Sequence, residues 1–281
     1  MNQNIDSITL VYVCHIDDLS ILYLSLRCLD KNWRGHKKLL IINEDGNTLL
    51  PGVVQDSLGA EWDVEIADAP EMSTNEVGWY RQQICKLYAG NIVTTDWQII
   101  LDCKNLMIKE TYPSDFITAT NILLVGSMEP DITEWDIKIL NESRKIVNGI
   151  DIGIYPRCLT PWVFNTALTR SLWNKLRPDK VTNWVGSEFY IYWYYSNCKF
   201  KYNVQFPITG TCGGLILSIS HDVPERIMFW NLHRFGTAAP EILSASLTYL
   251  LIKHIIAADE VTHFYTLLSR TNPTISQIPG E

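Results

Sequence analysis

Apolar positions along the chain follow two periods. The runs ITLVYVC (Ile8–Cys14), KLLIIN (Lys38–Asn43) and WQIILD (Trp97–Asp102) are apolar at successive positions, as in strands of a sheet covered by helices on both faces. Between the first two, Leu19, Leu22, Tyr23, Leu26 and Leu29 recur at helical spacing and predict a crossover helix. The second run ends in EDGN (Glu44–Asn47), a turn-forming cluster. Strand, helix, strand in this order predicts a parallel α/β unit.

The later segments extend the pattern. STNEVGWYRQQICKLYAGN predicts a helix entered at Ser73 or Thr74 and stopped at Gly90. ITEWDIKILNESRKIV predicts another helix, and PWVFN a short strand or turn leading into a helix capped by Asn165 or Thr166. NWVGSEFYIYWYYSNC reads as an aromatic helix starting near Ser187, GTCGGLILSIS as a glycine-bounded strand and APEILSASLTYLLIKHIIA as a final long helix. There is no internal repeat, low-complexity tract or linker, so residues 1–281 are expected to form a single large α/β domain.

Composition narrows the class. With 47% hydrophobic residues the chain can bury a substantial core, yet no apolar run approaches the ~20 residues needed to cross a bilayer. MNQNIDSITLVYVCHIDD has neither a basic region before its apolar run nor a small-residue cleavage site after it. The expectation is a cytoplasmic protein, with a peripheral contact at the inner membrane face left open. The seven cysteines are scattered, with no C-x-x-C pair, which suits reduced buried thiols rather than a disulfide framework or a zinc ribbon. A net charge of −8 opposes nonspecific attraction to nucleic acid.

Chemistry-bearing residues cluster where the third strand ends. In open α/β sheets ligands gather beyond the carboxyl ends of the strands, which places Asp102, Lys104 and Asn105 of LDCKN well. In GWYRQQICKL, Gln82 and Lys86 are related by i,i+4 and project together, while Trp79 and Tyr80 offer either ring stacking or core packing. Each residue also has a structural reading: an Asp102–Lys104 strand-end salt bridge, Asp17 or Asp18 as the N-cap of the first helix, and Glu188 as a carboxylate favoured by a helix N-terminus. Phe189, Tyr192, Trp193, Tyr194 and Tyr195, with Trp184, could form a sugar platform, although several must be core.

The element order, GWYRQQICKL (Gly78–Leu87) and LDCKN (Leu101–Asn105) resemble a bacterial glycosyltransferase-like family of GT-A type, marked by a G-[WY]-x-R-Q-Q-x-x-K-L helix and an L-D-x-K-N strand end. SEFYIYWYY and WNLHRF resemble its acidic helix start and C-terminal His-Arg element, so the resemblance runs from Ile8 to Phe235. It implies a GT-A-like, Rossmann-type mixed sheet flanked by helices, with a nucleotide-sugar donor half to about residue 110 and an acceptor half from about residue 111 that ends in the C-terminal helix.

The activity implied is transfer of a sugar from a nucleotide sugar, a UDP-sugar first, to a hydroxyl acceptor such as a surface polysaccharide or glycolipid precursor. The alternatives are an inactive sugar- or nucleotide-binding module and a phage-type enzyme acting on modified DNA bases, which the acidic charge disfavours. By resemblance, Asp17 meets the nucleoside, and Arg81, Gln82, Lys86, Lys104 and Asn105 meet the donor. His233 and Arg234 close over the diphosphate, and Glu188 is the general base. Asp102 serves the donor site and, with His233, is the candidate ligand pair for Mn²⁺ or Mg²⁺. Related enzymes carry D-x-D here, whereas this chain has Lys104 at the second acidic position, so metal-independent transfer stands beside metal use.

Overall fold

The computed structural model describes residues 8–72, 78–117, 122–125, 134–149, 160–181, 186–196, 202–205, 209–211, 229–231 and 240–271. The central sheet contains β1 (Ile8–Cys14), β2 (Lys38–Asn43), β3 (Asp63–Asp68), β4 (Trp97–Asp102) and β7 (Trp162–Asn165) in the order β3-β2-β1-β4-β7. Its first four strands are parallel, and β7 runs antiparallel to β4 at the edge. This is the expected mixed, Rossmann-type α/β sheet flanked by helices. β5 (Asn105–Met107), β9 (Thr209–Thr211) and β10 (Phe229–Asn231) form a smaller sheet, and β6 (Ile122–Val125) pairs with β8 (Tyr202–Gln205).

Both sheet faces are buried, which explains the unbroken apolar strands. Leu10, Tyr12, Leu39, Ile41, Ile99 and Leu101 share a core with α1 (Leu19–Asn32), which α2 (Leu50–Ser57) and α8 (Ala258–Thr271) flank. The alternating residues Val11, Val13, Leu40, Ile42 and Ile100 pack on the other side with α3 (Trp79–Ile92), α4 (Glu134–Val147), α5 (Thr166–Leu176) and α6 (Glu188–Ser196). With both faces spent on packing, polar chemistry is left to the strand ends. The register sets Val13 beside Asp102 and Cys14 beside Asn43, bringing three strand ends to one rim.

Several boundaries differ from expectation. α3 begins at Trp79, after Gly78 at φ 81°, a left-handed conformation that glycine tolerates; Ser73 and Thr74 lie outside the described residues. Gly90 does not stop α3, which runs to Ile92. It is instead a packing point, since a Cβ there would lie 2.9 Å from the Arg170 amide nitrogen and from Thr169 on α5. The final helix is divided into α7 (Pro240–Ile252) and α8, separated by a turn with His254 at φ 53°. The Glu260 carboxylate accepts from the Ala257 amide at 2.7 Å, fixing the start of α8, and pairs with Arg27.

Other elements gave weaker signals or fall partly outside the description. β3 carries DVEIAD, whose acidic residues break the apolar pattern of an edge strand. α2 contains Pro51 and Gly52, which look like turn residues, although Leu50, Val53 and Val54 are buried. Asn165 caps α5 as expected, accepting from the Leu168 amide at 3.1 Å. Of the glycine-bounded strand, only Gly210 and Thr211 are described, both in β9. No described helix is long and apolar enough to cross a membrane.

Candidate functional site

At the end of β4 a lysine is enclosed by two carboxylates. Lys86, on α3, places Nζ 2.7 Å from Asp102 Oδ1 and 3.1 Å from Glu188 Oε1, and also 4.9 Å from the centre of the Phe189 ring. Its side chain is 7% exposed and that of Glu188 is 2% exposed. The other Asp102 oxygen, Oδ2, accepts from Thr160 Oγ1 at 2.9 Å and faces Lys104 Nζ at 3.4 Å. Lys104 is the exposed end of the chain of charges, with 30% of its side chain in solvent.

The surrounding hydrogen bonds hold this arrangement. Asn105 Oδ1 accepts from the Asp102 amide at 2.7 Å, which folds the LDCKN turn back on itself, and Asn105 Nδ2 donates to the Thr160 carbonyl. Ser187 Oγ accepts from the Phe189 amide and donates to Glu188 Oε2, while Gln83 Oε1 accepts from the Glu188 amide. These bonds satisfy the orphan amides at the start of α6 and aim Glu188 at Lys86.

The electrostatics separate the two carboxyl groups. Burial opposes the charge on Asp102, but the Lys86 and Lys104 ammonium groups and the Thr160 hydroxyl outweigh it and hold the carboxyl well below the usual aspartate range. Burial pushes the Glu188 carboxyl up, with Lys86 opposing incompletely. Burial also works against the Lys86 charge, yet Asp102 and Glu188 hold its ammonium above the ordinary lysine value. Asp102 is therefore a fixed anion, and Glu188 is the carboxyl that takes a proton more readily.

A second feature opens along the same rim. A cavity of about 510 Å³ lies beyond β1, β2 and β3, lined by His15, Asn43, Glu44, Asp45, Asp68 and Arg81 among others. Arg81 Nη2 donates to the Glu44 carbonyl at 2.8 Å, and its Nε lies 3.9 Å from Glu44 Oε1. Burial raises the Glu44 carboxyl, opposed by His15 and Arg81 and by a hydrogen bond with Gln82.

The expected donor set is thus divided. Lys86, Asp102, Lys104 and Glu188 meet at one cluster, whereas Arg81 and Gln82 turn toward Glu44 and the cavity. Asp17 is half-exposed and pairs with His15 at 3.4 Å. Asp18, the residue before α1, does not supply the side-chain cap expected of it. The His15 ring accepts from the Asp17 amide. Asn105 is buried and committed to backbone groups, so its amide is a bracket for Asp102 rather than a group open to a ligand. Phe189, Tyr192, Trp193 and Tyr194 are buried, and Phe164 stacks on Tyr192. These rings are core rather than a sugar platform; Trp184 lies outside the described residues. Trp79 is 41% exposed and meets Tyr80 edge-on.

The described residues do not fit a divalent cation. Both Asp102 oxygens already face ammonium groups, and among the described residues no three His, Cys, Asp or Glu side chains gather to hold a metal. His233 and Arg234 lie outside the described residues. Thr160 and Glu44 were not anticipated as site residues. Nothing in the sequence links Thr160 to β4, but Glu44 follows an apolar strand just as Lys104 does, and the strand-end rule applied to EDGN would have found it.

Residues 8–202 match a family of unknown function, DUF6492. No curated protein matches the chain. Among solved structures, the chain is similar to 4-diphosphocytidyl-2C-methyl-D-erythritol synthase from Anaerococcus prevotii DSM 20548, at 10% identity and a TM-score of 0.47, over 71% of this chain and 86% of that one.

Proposed function

We propose that this chain, which belongs to the DUF6492 family, transfers a sugar from a nucleotide-sugar donor to a hydroxyl acceptor. The observation that carries the reading is the buried Lys86–Asp102–Glu188 cluster ending in the partly exposed Lys104 ammonium at the carboxyl end of β4. When the sugar–phosphate bond breaks, negative charge grows on the departing diphosphate. A preorganised cation at that place lowers the barrier, because the protein need not reorganise as the charge develops. Lys104 has the exposure to meet a phosphate, and Asp102 holds it by one edge. Lys86 balances Asp102 from below without itself reaching solvent.

Glu188 takes a different role from the one the family resemblance implies. A general base must come within hydrogen-bond reach of the acceptor hydroxyl, and Glu188 is 2% exposed with its oxygens turned to Lys86 and Ser187. We assign it to positioning Lys86. The same burial favours a second reading, a module that binds nucleotide sugars without turning them over.

The two readings separate in one experiment, in which the full chain is incubated with a panel of nucleotide sugars and candidate hydroxyl acceptors in Mn²⁺ or in EDTA. Nucleotide release that depends on acceptor supports the transferase. Saturable binding without release identifies the module, and absence of any nucleotide-sugar binding overturns both.

A further inference from the structure

The cavity beyond β1, β2 and β3 contains a buried acceptor for which the described residues supply no donor. Glu44 is 2% exposed, yet its Oε2 has no hydrogen-bond partner among the described residues. Arg81 Nε beside it also makes no hydrogen bond, although Nη2 of the same residue is spent on the Glu44 carbonyl. A buried carboxylate oxygen left without a donor carries a desolvation cost that a ligand N–H or O–H would relieve. Glu44 lines the cavity, so its carboxyl belongs to the wall that a molecule entering the cavity meets.

We infer that the cavity receives the base of the donor nucleotide and that Glu44 selects guanine. This rests on the nucleotide-sugar reading of the Lys104 end of the site. Glu44 follows β2 and Asp102 ends β4, with β1 between them. Two strand spacings amount to about 10 Å, the reach of a nucleoside between its base and its first phosphate. A phosphate at Lys104 therefore carries its base into the cavity.

The choice of base follows from donor and acceptor order. Guanine presents two adjacent donors, N1–H and the 2-amino group, that converge on one carboxylate, with O6 beside them as an acceptor for Arg81. Uracil has a single ring N–H flanked by two carbonyl oxygens, which an acidic wall containing Asp45 and Asp68 repels. Cytosine and adenine set a ring-nitrogen acceptor next to the amino group, so one of the two atoms facing an ionised Glu44 is repelled. A site built to receive an N–H rejects the analogue lacking it, because its buried polar group is left unpaired.

The test is equilibrium binding of GDP, UDP, CDP, ADP and inosine diphosphate to the full chain and to Glu44→Gln. GDP is expected to bind roughly tenfold or more tightly than each of the others, including inosine diphosphate, which lacks only the 2-amino group. Glu44→Gln is expected to lose that preference while its affinity for UDP stays within about threefold. The comparison of GDP with inosine diphosphate on the unaltered protein needs no variant to fold. Equal affinity for those two, or tighter binding of UDP, overturns the guanine assignment. If UDP binds and Lys104→Ala weakens it, the donor reading survives and only the base assignment fails. If no nucleoside diphosphate binds, both fail.

Discussion

Lys86 Nζ and Asp102 Oδ1 meet at 2.7 Å, one carried by a helix on the sheet face and the other by the end of β4. The contact is buried, so its value lies less in net attraction than in what each partner would cost alone. Bringing two charges out of water costs several kcal/mol per ion, and a close partner with further hydrogen bonds offsets it. Lys86 has a second carboxylate and the Phe189 ring, and Asp102 has Thr160 and Lys104. Each charge is compensated from more than one direction.

Lys86→Ala is therefore expected to destabilise the fold by about 3–5 kcal/mol, because it leaves two carboxylates facing each other without their cation. Urea denaturation at neutral pH measures this as a shift in midpoint at unchanged slope. Adding Asp102→Asn and Glu188→Gln to Lys86→Met should recover most of the loss, since contacting residues are not additive. A loss under about 1 kcal/mol for Lys86→Ala would show that the cluster is wetter than its burial indicates.

The two carboxylates predict opposite pH dependences. Asp102 is held below its ordinary value, so its contribution is present above about pH 4 and is lost as pH falls through its folded value. Glu188 is held above its ordinary value; its contribution is full below about pH 4 and is lost as pH rises through its folded value. Denaturant midpoints between about pH 3 and pH 7 should show the advantage of the unaltered protein over Asp102→Asn shrinking on acidification. Relative to Glu188→Gln, the unaltered protein should lose ground as pH rises. Parallel profiles for either pair would remove the assigned electrostatics.

The sequence disclosed the parts of the fold in which local pattern and environment agree. β1, β2 and β4 are apolar on both faces because both faces are covered, and LDCKN stood out because its polar residues begin where β4 ends. β3 was hidden by the acids of an exposed edge. Periodicity also could not reveal that nearly the whole of α6 is buried, since a helix enclosed on all sides has no polar face to mark its orientation. The union of Lys86 with Glu188 is a tertiary contact between α3 and α6, and no spacing within either segment encodes it. Helical spacing brought Gln82 and Lys86 to one side of α3, but neighbouring elements divided their roles: Glu44 engages the first and Asp102 the second.

Gly90→Ala tests the seam between α3 and α5. Alanine at a helix interior gains about 1 kcal/mol over glycine in propensity. Here the new Cβ would lie 2.9 Å from a backbone nitrogen of Arg170 and from Thr169, and relieving such overpacking costs about 1–3 kcal/mol. The expected outcome is a net loss of up to about 2 kcal/mol in denaturant unfolding, reached by subtracting the propensity gain from the packing cost. Stabilisation would mean that α5 moves aside freely.

Lys104 offers the sharpest functional test, because it is the partly exposed cation beside Asp102 at the carboxyl end of β4. Its Nζ lies 3.4 Å from Asp102 Oδ2 with 30% of the side chain exposed. If it stabilises the departing diphosphate, Lys104→Ala should lower the rate of acceptor-dependent nucleotide release about 10²–10³-fold, the scale on which removing one preorganised donor acts. The fold should be little affected, since a partly exposed ion pair contributes at most about 1 kcal/mol. Release by the unaltered protein should continue in EDTA, and Lys104→Asp should not regain the lost rate without added Mn²⁺. Loss of release in EDTA with recovery on adding Mn²⁺ would assign the cationic role to a metal and remove it from Lys104.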